Sequence, residues 1–186
     1  MTDANIQYYP NFIPYGESLQ WLSVLHQELQ WRTDQLAMFG KLVKLPRLQA
    51  WYGDDYQQYT YSNLTLTALP FTPSLLSLRE KVSDFCQHRF NSVLANYYRD
   101  QHDSVGWHSD DEPELGEQPT IASLSFGAQR LFHLKHKVTG EKYKIPLQSG
   151  SLLVMSGPTQ HYWQHAILKT RREQPMRINL TFRKIY

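Results

Sequence analysis

Two short runs hold most of the residues able to do chemistry. In His108-Ser109-Asp110 an imidazole and a carboxylate stand two positions apart. On an extended segment residues i and i+2 point the same way, so the pair can grip one metal ion. Alone it is weak: eight His and nine Asp in this chain give about 0.4 such pairs by chance. A metal needs a further ligand, and Gln160-His161-Tyr162-Trp163-Gln164-His165 offers two. Read as a strand, His161 and His165 fall on one side, and spacing does not choose between them.

Two His and one carboxylate fill one face of an octahedron and leave three positions for a bidentate co-substrate and dioxygen, as in non-haem iron(II) oxygenases. Zinc hydrolases use the same donors. The second run, Arg177-Ile178-Asn179-Leu180-Thr181-Phe182-Arg183, separates the two. Its odd positions are polar or cationic and its even ones apolar, so a strand presents Arg, Asn, Thr, Arg on one face and sends the other to the core. The two guanidiniums stand about 20 Å apart along the strand, and their long side chains must reach inward to one ligand. A dicarboxylate between them explains the pattern, because guanidinium and carboxylate pair as a bidentate fork. A solvent-facing strand is the plainer reading. Asn96 and Tyr98 share a face on another strand-like run and can complete a carboxylate's hydrogen bonds, or Tyr98 can be a core tyrosine.

These runs need elements to hold them. Helical spacing runs from Ser18 to Trp31 through Leu22, Leu25 and Leu29. A second helix is predicted after Thr72 as cap and Pro73 at the first position, with Leu75, Leu78, Val82 and Phe85 on one face. Residues 36–66 suggest hairpins or loops, with Trp51-Tyr52-Gly53-Asp54 as a turn. From residue 90 the texture is short strands: Phe90–Tyr98, Thr120–Phe126, Arg130–His136, Lys142–Leu147, Ser151–Met155, His161–Leu168 and Met176–Ile185. Gly127, Gly140, Gly150 and Gly157 punctuate them, a rhythm that suggests a sandwich, jelly roll or small barrel. The expected class is mainly β with flanking helices (α+β), one domain over 1–186: an N-terminal flank of 1–89 and a β core of 90–186.

Taken together, Asn96-Tyr97-Tyr98, His108-Ser109-Asp110-Asp111-Glu112, Ile121-Ala122-Ser123-Leu124-Ser125-Phe126-Gly127, Gly150-Ser151-Leu152-Leu153 and the Arg177–Arg183 run follow the order of AlkB-type dioxygenases. The resemblance runs from about Phe39 to Tyr186. It implies a double-stranded β-helix (jelly-roll) core and Fe(II) held by His108, Asp110 and His165. His165 is favoured over His161 by the Trp-x-His context of Trp163-Gln164-His165. It also implies 2-oxoglutarate held by Asn96, Tyr98, Arg177, Thr181 and Arg183, with Asn179 in support. The implied reaction is oxidative demethylation of N1-methyladenine and N3-methylcytosine in DNA, with RNA as a further substrate. 2-Oxoglutarate and O2 become succinate and CO2, and formaldehyde is released.

On the substrate side, Pro46-Arg47, Trp51-Tyr52-Gly53 and Tyr59-Thr60-Tyr61-Ser62 resemble that family's nucleotide-recognition lid. A flipped base needs aromatic faces and acceptors for its exocyclic amine. Tyr59, Tyr61 and His108 can bracket the ring, Asp111 or Glu112 can accept from the amine, Ser62 belongs to the same lid, and Arg47 can orient Asp111. Met38-Phe39-Gly40-Lys41 resembles the apolar finger of members that enter duplex DNA, with Phe39 as the wedge; a buried loop anchor is the alternative. The Tyr-Thr-Tyr-Ser and Trp-His-Ser-Asp-Asp-Glu-Pro stretches resemble instead the branch that prefers single strands. Rival readings are the same iron chemistry on a protein or small molecule, and a non-catalytic nucleic-acid-binding module.

Composition sets the outer limits. A charged fraction of 19% beside 41% apolar and 13% aromatic residues is not that of a disordered chain. One cysteine excludes an internal disulfide and any Cys-rich metal site. No apolar run nears the roughly 20 residues of a membrane span, and the N-terminus lacks the pattern of a signal peptide. A soluble intracellular monomer is expected, cytoplasmic or, in a eukaryote, nuclear. The net charge of +2 hides a division: residues 1–128 hold 8 basic against 15 acidic groups, and residues 129–186 hold 11 against 2. Seven of the fifteen acids lie within residues 100–117, near His108, where they suit a cationic methylated base. Lys135, Lys137, Lys142, Lys144, Arg171 and Arg172 remain for phosphates or for a solubilising surface.

Overall fold

The computed structural model describes residues 1–38, 41–54, 58–61 and 64–186, with side chains described outside 36–42 and 55–66. Phe39 and Ser62 therefore lie outside the described residues, as do the side chains of Tyr59 and Tyr61.

In chain order, β1 (Asn5–Tyr9) and α1 (Tyr15–Glu28) come first. Then follow β2 (Gln35–Met38), β3 (Lys41–Lys44), β4 (Leu48–Gly53), β5 (Gln58–Tyr61) and β6 (Leu64–Thr67). Helix α2 (Pro73–Cys86) leads to β7 (Ser92–Tyr98) and β8 (Val105–His108). The last part holds β9 (Ile121–Gly127), β10 (Arg130–His136), β11 (Lys142–Leu147), β12 (Leu152–Ser156), α3 (Thr159–Tyr162), β13 (Trp163–Ile167) and β14 (Arg177–Arg183).

Six strands pair antiparallel in the order β1-β12-β9-β14-β7-β4, and four in the order β11-β10-β13-β8. Strands β2–β3 and β5–β6 form separate hairpins. The alternation of β14 explains the layering. Ile178, Leu180 and Phe182 pack with Leu22 and Leu25 of α1 and Leu75, Leu78 and Val82 of α2. The odd positions face the opposite way, toward the smaller sheet. There a second core joins Trp51, Leu94 and Leu153 of the large sheet to Phe132, Leu134 and Ile167 of the small one. All seven residues of β14 are buried, so polar Arg, Asn and Thr at its odd positions must find partners inside the protein.

Local signals account for most boundaries. Thr72 Oγ1 accepts from Leu75 N at 3.3 Å and Pro73 opens α2, as expected. Helix α1 begins after Pro14 and ends before the expected Trp31. Two glycines sit where the chain closes tightly. Gly127 (φ +86°) and Gly150 (φ +79°) occupy left-handed backbone, and a Cβ would strike Met176 O and Ile13 O respectively.

Three expectations are corrected. Trp51-Tyr52-Gly53 is not a turn but the end of β4, paired with Leu94, Val93 and Ser92. Trp51 enters the core between the sheets and Tyr52 the core beneath the helices; two buried faces leave none of the alternation that marks a strand in sequence. The His161–Leu168 run is not one strand, because Pro158 starts the single turn α3 before β13. Phe85 is 47% exposed rather than in the α2 core stripe, lying edge-on to Tyr9 and Phe12 at the helix end. Among the described residues no helix is long and apolar enough to cross a membrane.

Candidate active site

The small sheet delivers the imidazoles. His165 of β13 stands directly opposite His108 at the end of β8, with ring centroids 4.3 Å apart. Asp110 follows two residues later, and ligand atoms of His108, Asp110 and His165 all lie within 4.8 Å of one another. His161 is left on α3, exposed and edge-on to Tyr162, because the turn breaks the strand parity that would have aligned it with His165.

Each of the three is held by named contacts. His108 Nδ1 lies 2.9 Å from the Gly106 carbonyl; a carbonyl only accepts, so Nδ1 carries the proton and Nε2 keeps its lone pair. The ring of Phe132 stacks on His165 at 5.0 Å. Asp110 is 1% exposed; its N–H donates to Gln160 Oε1 at 2.9 Å and its Oδ1 accepts from Arg183 Nη2 at 2.8 Å.

Electrostatics leave all three in the ligating form. Burial, followed by the neighbouring His108, pushes His165 down to about 3, and burial also lowers His108. Burial opposes the charge on Asp110, yet the Arg183 guanidinium and then the two imidazoles hold it at about 2. Since both imidazoles are neutral at neutral pH, Arg183 is the cation that matters. Two neutral imidazoles and one carboxylate are the donors that iron(II) accepts.

The odd positions of β14 line the adjoining cavity together with Asn96, Tyr98 and Arg47. Arg177 Nη2 donates to Ser125 Oγ at 2.9 Å, while its buried Nε and Nη1 have no hydrogen-bond partner among the described residues. Its guanidinium sits 5.0 Å from the centroid of the Tyr98 ring. Asn179 Nδ2 donates to Ser123 Oγ at 2.8 Å, and Thr181 Oγ1 donates to Asn179 Oδ1 at 3.0 Å. Asn96 Oδ1 accepts from Arg47 Nε at 2.8 Å and Gln49 Nε2 at 3.1 Å. A 2-oxo acid fits this lining: a buried cation with two spare donors awaits an anion, since a guanidinium is not left unpaired inside a protein without cost.

One expected pairing is absent. Arg47 does not orient Asp111; its Nη1 reaches Ser104 O at 3.2 Å, and Asp111 pairs with Lys137 Nζ at 3.2 Å. The cause is topological: Arg47 precedes β4, beside β7, whereas Asp111 lies near the β10–β11 end of the small sheet. Glu112 is half-buried near the 3-10 turn at 113–115.

Sequence reasoning missed several supporting residues. Ser123 and Ser125 carried a readable signal, small polar residues alternating with Ala122, Leu124 and Phe126 on the strand beside β14. Gln160 carried none. It is 1% exposed and ties α3 to the Asp110 backbone, and its own carbonyl accepts from Lys137 Nζ at 3.0 Å.

A half-buried and a buried imidazole beside a buried carboxylate, with buried arginines on the facing sheet, define a non-haem iron(II) type of site. The sequence pattern of the 2OG-Fe(II) oxygenase superfamily matches residues 5–183, and the chain belongs to that superfamily, among its AlkB-like members. It is 42% identical over 188 residues to the Mus musculus alpha-ketoglutarate-dependent dioxygenase alkB homolog 3, covering 96% of this chain and 65% of that one. It is 44% identical over 172 residues to the Mus musculus DNA oxidative demethylase ALKBH2, covering 87% of this chain and 72% of that one. The chain thus spans a little under two thirds of the length of the first relative. The solved structure of OsALKBH1 superposes with a TM-score of 0.64 at 17% identity, over 96% of this chain and 97% of the other. That likeness concerns the fold: helices beside β-sheets that resemble a double-stranded β-helix core.

Proposed function

We propose that this chain is an iron(II)- and 2-oxoglutarate-dependent demethylase of N-alkylated bases, N1-methyladenine and N3-methylcytosine, in DNA and RNA. The reading rests on one observation above all: His108, Asp110 and His165 converge within 4.8 Å beside Arg177, whose buried Nε and Nη1 have no hydrogen-bond partner among the described residues. The two sheets would be the halves of a double-stranded β-helix, with 1–89 as flank and lid and 90–186 as core of one domain.

His108, Asp110 and His165 would hold iron(II). The metal, with 2-oxoglutarate and O2, supplies an oxidant able to hydroxylate an N-methyl group, with succinate and CO2 as co-products. The chain's own residues do the rest. Arg177 offers its charge and its spare N–H donors to a carboxylate of the co-substrate. Arg183 faces the same cavity while holding Asp110 ionised, and Asn96, Tyr98 and Thr181 supply hydrogen bonds, with Asn179 fixing Thr181. Buried walls exclude water, which strengthens each of these pairs.

On the substrate side, Tyr59 and Tyr61 of β5 would bracket the flipped base with His108, and Asp111 and Glu112 would accept from its exocyclic amine. Lesions at N1 of adenine or N3 of cytosine are cationic, which suits those carboxylates. Arg47, Ser62 and Phe39 complete the lid, with Phe39 as a wedge when the substrate is a duplex. The hydroxylated methyl then leaves as formaldehyde. The relatives named as dioxygenase and DNA oxidative demethylase support this class of reaction.

The test is formaldehyde and succinate release from single- and double-stranded DNA and RNA carrying each lesion. Matched release of both products from at least one polymer is expected. Succinate without formaldehyde on all of them, unchanged by the lesion, would point to a protein or small-molecule substrate.

A further inference from the structure

The outer face of the small sheet has no part in the site, yet its composition is one-sided. Strand register places His133 directly opposite Lys144 and Lys135 directly opposite Lys142. On the other side of β10, Lys135 stands opposite Gln164. These residues alternate with Phe132, Leu134 and His165, which point inward, so they project from the opposite surface. The three lysines are exposed. No Asp or Glu occupies any position of β8, β10, β11 or β13.

Like charges directly across a strand pair repel. Here the repulsion reaches His133, which is lowered by its burial and then by Lys144. Lysines on an edge strand can guard against aggregation, and β11 is an edge. Lys135, however, lies on the interior strand β10, where no edge needs guarding. The opposite edge, β8, presents Trp107, 39% exposed and edge-on to His133 at 6.4 Å. Trp107 immediately precedes His108, so the face begins where the site ends.

We infer that this face is a track for the single strand flanking the damaged base: Trp107 stacks a neighbouring base, and His133, Lys135, Lys142 and Lys144 meet the phosphates beyond it. This rests on the reading of the chain as acting on a nucleic-acid strand, and adds where that strand runs. Charge complementarity names the occupant as a polyanion, and the exposed indole beside the mouth of the site favours one that carries bases. The width fits. Three interstrand steps from β8 to β11 span about 14 Å, the length of about four stacked nucleotides. Gln164, opposite Lys135 on β13, offers an amide to either phosphate or base edge.

The test uses the metal-loaded full chain, a methylated trinucleotide and a methylated single strand long enough to cross the face. Replacing Lys135, Lys142 and Lys144 together by Ala removes exposed like charges and leaves both cores untouched. The variant should raise KM for the long strand roughly tenfold and flatten the slope of log K against log salt by about 2 to 3. Its kcat and its constants for the trinucleotide should match the wild type. Trp107→Ala should weaken binding of the long strand without changing the salt slope. Equal KM and equal salt slope in wild type and triple variant would overturn the track. Fluorescence anisotropy of the labelled long strand separates this from the function: a wild type that turns over neither substrate speaks against demethylation, while the variant's loss of affinity still tests the face. Displacement of the strand by polyglutamate at equal charge, with Trp107→Ala silent, would also overturn it in favour of an acidic protein partner.

Discussion

Arg183→Met removes the ion pair that holds Asp110. Arg183 Nη2 and Asp110 Oδ1 are 2.8 Å apart, and both side chains are almost fully buried, at 3% and 1% exposure. At that distance and an effective dielectric of about 20 the attraction is about 6 kcal/mol. Removing one partner leaves the other charged in a low-dielectric site, and such losses typically run about 3–5 kcal/mol. Methionine fills similar volume, so the packing contribution is small. The assay is urea unfolding of the metal-free protein, read by the midpoint at constant m. Arg183→Met should be destabilised by about 3–5 kcal/mol, and adding Asp110→Asn should restore part of that loss, because the stranded carboxylate is gone. A cost below about 1 kcal/mol, the range of exposed pairs, or a strictly additive double variant, would refute the pairing as the support of Asp110.

Acid should weaken the metal-free protein before it weakens most proteins. His165 falls from an ordinary 6.5 to about 3 on folding, so the unfolded chain takes up a proton that the folded one refuses. Stability is then full above pH 6.5 and declines toward pH 3 by up to about 1.4 kcal/mol per pH unit; Asp110, lowered from 3.8 to about 2, adds a further loss below pH 4. A urea midpoint constant from pH 7 to 4, or a slope unchanged in His165→Gln, would contradict this. Gln160→Met should leave the buried Asp110 N–H without its acceptor, lowering metal affinity about 10- to 100-fold by isothermal titration while the circular dichroism spectrum is retained; an unchanged affinity would remove Gln160 as a positioning residue. Gly150→Ala should cost about 1–3 kcal/mol, since a Cβ there meets the Ile13 carbonyl at a positive φ, and a Tm equal to wild type would contradict that close approach.

What was readable in the chain follows from how each residue is held. The odd–even alternation of 177–183 was plain because one face is polar and one apolar, even though both are buried. The His108-Ser109-Asp110 pair was plain from spacing, but its partner was not. A strand parity common to His161 and His165 hid the turn α3, and only the Trp-x-His resemblance pointed to His165. Helix α2 announced itself through Thr72 and Pro73, whereas β4 did not, because Trp51 and Tyr52 serve two cores at once. Arg183 is expected from the sequence to bind the co-substrate directly; its contact with Asp110 depends on β14 of one sheet meeting the end of β8 in the other, which no local pattern encodes. Gln160 is invisible for the same reason, while Ser123 and Ser125 were legible as a pattern without their partners. The leftover lysines were visible as charge, but only strand register placed three of them on one face with Trp107 at its edge.

The metal site is tested by formaldehyde released from a single strand carrying N3-methylcytosine, with iron(II), 2-oxoglutarate and O2 supplied, by the wild type and by Asp110→Ala. The wild type should release it in step with succinate, and the variant, its fold retained by circular dichroism, should release none above background. Equal release by both proteins would contradict the placement of the metal at His108, Asp110 and His165.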